Sequence, residues 1–212
     1  MRNYTPIDQL LMHIDQAVRT VFGGPPTAQR ANPAAMHGEA DLDAAQRALA
    51  ARLMRINHAG EIAAQGLYQG QAITARLDDV RERMEQAAGE ENDHLAWCAA
   101  RLRELDSHTS RLDPLWYLGA VSIGALAGIA GDKWSLGFVA ETERQVVKHL
   151  DEHLQRLPEQ DVRSRAILEQ MRQDEAGHAT VAVEAGGAPL PEPIKQVMGL
   201  ASKVMTGAAY WI

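Results

Sequence analysis

The sequence has too little cysteine and too little positive charge for several classes of protein. Its one cysteine, Cys98, cannot form an intramolecular disulfide, and there is no cysteine cluster that would hold structural zinc or an iron–sulfur centre. Acidic residues number 28 against 21 Lys and Arg, which gives a net charge of −7. Such a chain lacks the basic stripe that binds nucleic-acid phosphates, so we expect no nucleic-acid partner.

The N-terminus also lacks an uninterrupted apolar signal core, because residues 1–20 contain Asp8 and Asp15. We therefore expect a cytoplasmic protein. Aromatic residues are only 5% of the chain, whereas Ala, Leu, Val, Ile and Met supply most of its 46% hydrophobic content. These residue types favour helices, and 212 residues are enough for one domain with a full core. The composition predicts an all-α fold.

The order of the helical segments predicts a four-helix bundle with one crossover. Residues 41–76 and 78–105 are expected to form a first hairpin, with Asp41 or Asp43 and then Asp78 or Asp79 as helix caps. Residues 136–157 and 158–185 are expected to form a second hairpin, which ends at Gly186 and Gly187.

Segments at both ends lie outside this bundle. Residues 6–20 have apolar side chains at helical spacing, and so does the stretch 194–212, which predicts an amphipathic helix at each terminus. Residues 23–38 contain three prolines and three glycines and have the composition of a linker. We divide the chain into an N-terminal helix at 1–22, a flexible linker at 23–40 and a bundle domain at 41–212.

The connector between the two hairpins is unusually apolar. Residues 115–131, LWYLGAVSIGALAGIAG, contain no charge, and Gly124 and Gly128 have GxxxG spacing. Three interpretations are open: a helix buried against the bundle, a helix in a membrane interface with Trp116 and Trp134 near the headgroups, or a transmembrane span. A span needs about 20 apolar residues, so this stretch is short for one.

Two Glu-x-x-His motifs indicate a metal site. Glu91 and His94 lie three residues apart, as do Glu175 and His178, so each pair occupies one face of its helix. Apolar residues flank both motifs at helical spacing, which places these carboxylates toward the core. A buried glutamate is costly unless it is paired, and a metal cation supplies both the charge and the ligand bonds.

A dinuclear bundle site needs one more glutamate from each of the other two helices. Glu61 and Glu143 fit, because each shares its helical stripe with apolar residues, although Glu141 takes the place of Glu143 if the helix phase differs. Four carboxylates and two imidazoles suit iron or manganese. His149 lies six residues after Glu143 and is predicted to have either a role beside the site or a structural role.

The motifs resemble those of the demethoxyubiquinone hydroxylase family, the di-iron monooxygenases of ubiquinone biosynthesis. The resemblance covers residues 49–212 and is carried by RINHAGEIAAQGLYQGQ (55–71), EENDHLAWC (90–98), PLWYLGAVSIGALAG (114–128), ETERQVVKHL (141–150) and QDEAGHA (173–179). It implies a ferritin-like bundle in which the six residues named above bind two irons and Glu91 and Glu175 bridge them. It also implies that His149 acts near the site, but Leu150 replaces the tyrosine of animal members, so a redox relay through that tyrosine is not expected.

The resemblance further implies hydroxylation of the benzoquinone ring of a polyprenylated demethoxyubiquinone, with dioxygen and two electrons from NADH or an electron-transfer partner. Two iron ions are expected as cofactor, in preference to manganese. The isoprenoid tail implies peripheral binding to the cytoplasmic face of the inner membrane, and other ubiquinone-biosynthesis proteins are expected partners. The alternative is a ferritin-like or rubrerythrin-like protein that oxidises iron or scavenges peroxide.

Overall fold

The computed structural model describes residues 6–23 and 27–212 of the chain. Residues 1–5 of the predicted N-terminal segment and residues 24–26 of the predicted linker lie outside this part. Within the described residues there are seven α-helices, a short 3₁₀-helix and no strand, which confirms the all-α prediction. The helices are α1 (Pro6–Phe22), α2 (Ala44–Thr74), α3 (Asp78–Glu104), α4 (Asp113–Ala130), α5 (Asp132–Arg156), α6 (Val162–Glu184) and α7 (Glu192–Ala209), and the 3₁₀-helix is Pro33–Met36.

Helices α2 and α3 form one hairpin of the bundle and α5 and α6 form the other. Helix α2 begins with the predicted cap, since the Asp43 carboxylate accepts the Gln46 N–H while the Gln46 side chain accepts the Asp43 N–H. The prediction that Asp78 or Asp79 caps α3 is wrong, because Leu77 occupies the N-cap position. The turn is held instead by Asp132, whose carboxylate accepts the N–H groups of Arg76 and Leu77.

The second hairpin differs from its predicted bounds at one end of each helix. Helix α5 begins at Asp132, four residues before the predicted start, immediately after Gly131 with its φ of 115°. Helix α6 begins at Val162 instead of residue 158, because the Asp161 carboxylate accepts the Ser164 N–H at 3.0 Å and caps the helix there. Gly186, with a φ of 97°, follows the end of α6 as predicted.

Two apolar layers fill the bundle, one on each side of the predicted metal ligands. The first contains Leu53, Met54, Trp97, Cys98, Leu150, Ile167, Leu168 and Met171, and the second contains Tyr68, Ala72, Val80, Met84, Leu136, Val139 and Ala182. On each bundle helix the predicted ligands lie between residues of these two layers. Cys98 belongs to the core, and burial raises the pKa of its thiol.

Helix α4 is the crossover, and it packs lengthwise against α2 through glycines. A Cβ at Gly124 would collide with the backbone of Leu67, and a Cβ at Gly70 of α2 would collide with the backbone of Val121. The GxxxG spacing therefore marks a helix contact inside the protein. Within the described residues, α4 is the one helix long and apolar enough to span a membrane, with a mean hydropathy of 1.2 and 28% of its residues buried.

Residues 27–40 make contacts that their linker composition did not predict. Ala34 is fully buried in the first apolar layer, and Arg163 of α6 donates to the His37 carbonyl at 2.7 Å. The Glu39 carboxylate pairs with Arg101, whose side chain is fully buried. These contacts are made with helices that are distant in the sequence, and composition alone does not encode them.

Two glycines of α4 give a matched test of the packing against α2. Gly124→Ala should lower the free energy of unfolding by about 1–3 kcal/mol, because the methyl group meets the α2 backbone. Gly119→Ala should leave it unchanged or raise it by up to about 1 kcal/mol, since nothing lies within 4 Å and alanine favours the helix. Urea unfolding of both variants measures the difference, and equal effects would contradict the packing described.

Candidate metal centre

Four of the six predicted ligands form a compact buried cluster. Donor atoms of Glu61, Glu91, His94 and Glu175 all lie within 4.8 Å of one another. They come from α2, α3 and α6, and each residue is at most 4% exposed. The His94 ring directs Nδ1 toward the carboxylates, at 2.8 Å from Glu91 Oε2, 3.2 Å from Glu175 Oε1 and 3.6 Å from Glu61 Oε2.

His178 faces the same two motif carboxylates from the opposite side. Its Nδ1 lies 3.2 Å from Glu175 Oε2 and 3.3 Å from Glu91 Oε1. Glu91 and Glu175 thus each present one oxygen to His94 and the other oxygen to His178. A carboxylate whose two oxygens point to two different donor sets can bridge two cations.

Glu143 of α5 completes the set of four carboxylates. It is 1% exposed, and the Tyr68 hydroxyl donates to its Oε1. The alternative ligand, Glu141, points away from this cluster toward α7, where it accepts a hydrogen bond from Gln145 at 2.9 Å and lies 3.9 Å from Lys195 Nζ. The geometry therefore favours Glu143 over Glu141. Tyr68, which lies seven residues after Glu61 on α2, thus contacts a predicted ligand of another helix.

In this cluster four carboxylates lie close together, and only two imidazoles can supply positive charge. Burial, followed by the negative charge of neighbouring glutamates, raises the pKa of Glu61 and of Glu143 well above the usual range. Although burial also opposes protonation of the imidazoles, the surrounding carboxylates raise the pKa of His94 well above its usual value and that of His178 to about 12. Protons thus balance the cluster in the metal-free protein.

The donor set fits two divalent cations. Their four positive charges match four carboxylates, and oxygen and imidazole donors suit iron or manganese. Glu91 Oε1 is a buried carboxylate oxygen with no hydrogen bond of good geometry among the described residues, as expected of an atom placed to bind a cation. Binding of metal must displace protons from the imidazoles and the neutral carboxyls, so affinity should fall as the pH falls.

Two acidic residues that the sequence analysis did not identify contact Nε2, the outer ring nitrogen, of His94 and His178. His94 Nε2 lies 2.9 Å from Asp174 Oδ2, and His178 Nε2 lies 2.9 Å from Glu90 Oε2. Each acid therefore precedes the Glu-x-x-His motif of one helix and contacts the histidine of the other. Such partners fix the ring orientation and leave Nδ1 free for a metal. The repeated acid in EENDH and DEAGH was the available signal.

Comparisons with known proteins show the family of this chain. Residues 48–209 match the family described as "Ubiquinone biosynthesis protein COQ7". The chain belongs to this family. Proteins named "3-demethoxyubiquinol 3-hydroxylase" are similar over essentially their whole length: that of Nitrosococcus oceani is 61% identical across 100% of this chain and 99% of that protein, and that of Acinetobacter baumannii is 57% identical across 100% of both. The corresponding protein of Xanthomonas axonopodis pv. citri is 58% identical across 99% of this chain and 96% of that protein.

The resemblance to the demethoxyubiquinone hydroxylase family implies that His149 acts near the metal site. In the structure, His149 contacts another histidine, His153. Its ring centroid lies 4.0 Å from that of His153, and His153 Nδ1 lies 2.9 Å from Asn57 Oδ1. Burial lowers the pKa of His149, and burial with the nearby positive charges lowers that of His153 to about 2, so both rings are neutral. Among the described residues, no hydrogen bond joins His149 to the six predicted ligands. Its role in the reaction stays a prediction.

Two glutamates of α5 give a matched test of which one is a metal ligand. Glu143→Gln should reduce bound metal from two ions to one or fewer per chain, because a neutral amide replaces a carboxylate inside the cluster. Glu141→Gln should retain both ions, since Glu141 contacts α7 instead. Metal analysis after loading and gel filtration measures this. Loss of metal in Glu141→Gln with retention in Glu143→Gln would reverse the assignment.

Proposed function

We propose that this protein is a di-iron monooxygenase that hydroxylates the ring of a polyprenylated demethoxyubiquinone, taken as the quinone or the quinol. The observation that carries the proposal is the pair of Glu-x-x-His motifs whose glutamates each face both histidines, in a chain of the COQ7 family. The relatives named 3-demethoxyubiquinol 3-hydroxylase support the substrate.

In this proposal six side chains hold the two irons. Glu61 and His94 would hold one iron, Glu143 and His178 would hold the other, and Glu91 and Glu175, which each face both histidines, would contribute to both. The bound irons supply the chemistry that activates dioxygen, which side chains cannot provide. Dioxygen, two electrons and two protons are consumed, one oxygen atom enters the ring as a hydroxyl, and the other leaves as water. The electrons come from a reductant such as NADH or an electron-transfer partner.

The chain's own residues orient the ligands, stabilise their charges and exclude water from the site. The carboxylates of Asp174 and Glu90 hold the two imidazoles by their outer nitrogens, so that Nδ1 of each faces inward. Tyr68, whose pKa burial raises well above its usual value, stays protonated and donates to Glu143. The apolar layers on either side of the ligands exclude water, which strengthens these electrostatic interactions and prevents side reactions.

The exposed apolar side chains support contact with a membrane interface, where a polyprenyl substrate is dissolved. Helix α4 uses one face to pack on α2, so only its outer face can meet lipid, which fits a helix lying in the interface of the inner membrane on its cytoplasmic side. Most large exposed hydrophobics lie on three helices: Leu11, Met12, Ile14, Val18 and Phe22 of α1; Leu115, Leu118, Ile123, Leu126 and Ile129 of α4; and Ile194, Val197, Leu200 and Val204 of α7.

Oxygen-18 labelling tests the reaction. Iron-loaded protein with a reductant, labelled dioxygen and a short-tailed demethoxyubiquinone should place one labelled atom in the ring, as read by mass spectrometry. Glu175→Ala should abolish the label because the variant loses a shared ligand. If the wild-type protein binds iron and consumes oxygen without labelling the ring, the function is iron oxidation or peroxide chemistry instead, as in ferritin-like and rubrerythrin-like proteins.

Vesicle flotation tests the membrane surface. The double variant Leu118→Asp, Leu126→Asp should bind phospholipid vesicles at least about tenfold more weakly, because two exposed leucines contribute roughly 1.5–3 kcal/mol each when they enter an apolar phase. Val181→Asp, at a similarly exposed valine on α6, is the control and should float like the wild-type protein. Equal flotation of all three proteins would contradict the α4 surface.

A further inference from the structure

The segment before α2 approaches the metal centre at the outer side of His94. We propose that Arg30, in this segment, is a positioning residue of the metal centre: it holds the Asp174 carboxylate and thereby fixes the His94 ring in the orientation that binds metal. The inference rests on the proposed function insofar as His94 is a ligand. Arg30 lies outside residues 48–209, the part of the chain that matches the family.

Carboxylates of two helices hold the Arg30 side chain beside His94. Its Nε lies 2.7 Å from Asp93 Oδ2 on α3, and its Nη1 lies 2.8 Å from Asp174 Oδ2 on α6. The guanidinium also lies 4.9 Å from the centroid of the Trp97 ring, which is itself 5.5 Å from the His94 ring. A planar guanidinium that joins two carboxylates in this way is poorly reproduced by the single ammonium group of lysine.

The Asp174 carboxylate connects Arg30 to the ligand. Its Oδ2 accepts from His94 Nε2 at 2.9 Å and forms an ion pair with Arg30 Nη1 at 2.8 Å, while its Oδ1 accepts from Gln170 Nε2 at 2.9 Å. Without Arg30, the carboxylate loses its one cationic partner other than His94 among the described residues and is held only by Gln170 and His94.

Among the described residues, no arginine contacts the outer partner of the other histidine, which makes the effect specific. Besides its contact with His178, Glu90 accepts a neutral hydrogen bond from Gln86, and its side chain is 45% exposed, whereas the Asp174 side chain is 17% exposed. Loss of Arg30 should therefore weaken the metal at His94 and spare the metal at His178.

Other contacts hold the segment that carries Arg30 against the bundle. The backbone N–H of Gln29 donates to Asp93 Oδ1 at 2.6 Å, next to Arg30. Farther along, Arg163 contacts the His37 carbonyl and Glu104, and Ala34 lies in the core. These distal anchors do not touch Asp174 or His94, so they offer a control for loosening of the segment.

Cobalt binding to the full-length metal-free protein tests the proposal. Titration in competition with a chelator, followed by the visible spectrum of cobalt, should show Arg30→Ala binding one of two ions about 10- to 100-fold more weakly, with an altered spectrum, as expected for loss of a residue that orients a ligand. Arg30→Lys should recover part of the loss, and Arg163→Ala should bind both ions like the wild-type protein.

A double-mutant cycle identifies the route. In an Asp174→Asn background, Arg30→Ala should weaken cobalt binding no further, because the residue acts through that carboxylate. Unchanged affinity and spectrum in Arg30→Ala, equal loss in Arg163→Ala, or additive effects in the double variant would each overturn the proposal while leaving the metal site in place. Failure of the wild-type protein to bind cobalt would overturn the proposed metal centre, and this inference with it.

Discussion

Four glutamate carboxylates in one helical core are the constraint on which the rest of the structure depends. Carboxylates a few ångströms apart and away from water repel one another and lose hydration, so they must be neutralised by protons or by cations. The chain meets this demand with two imidazoles that face inward, with Tyr68 on Glu143, and with outer acids that hold the imidazoles. Each of these contacts needs the four bundle helices in one fixed register.

The rest of the fold surrounds this polar layer. Apolar layers close the bundle above and below it, and the crossover helix α4 packs along α2 through glycines, so its leucine and isoleucine side chains point outward. One chain thus combines a dry interior for metal chemistry with an exposed apolar face on α4 that suits a lipid-soluble substrate. The segment at 27–40 adds a cationic side chain, Arg30, to the outer side of the metal centre.

Much of this could be predicted from the sequence because it depends on helical spacing. Three-residue spacing puts Glu91 beside His94 on one helix face, and the apolar stripe shows which face is inside. The phase of a helix likewise favoured Glu143 over Glu141. Contacts between distant segments were not predictable in this way: the pairing of Asp174 with His94, and of Arg30 with Asp174, depends on how α3, α6 and the preceding segment meet in space. The Asp132 side chain at the α2–α3 turn is another such case.

The central claim is that this core is built to exchange protons for two metal ions. Anaerobic titration of the metal-free protein with ferrous iron in weakly buffered solution, with a pH indicator, counts both the ions bound and the protons released. The account predicts two iron ions per chain and proton release from the imidazoles and from the neutral carboxyls of Glu61 and Glu143. Binding of a single ion or of none, or binding of two ions without proton release, would contradict it.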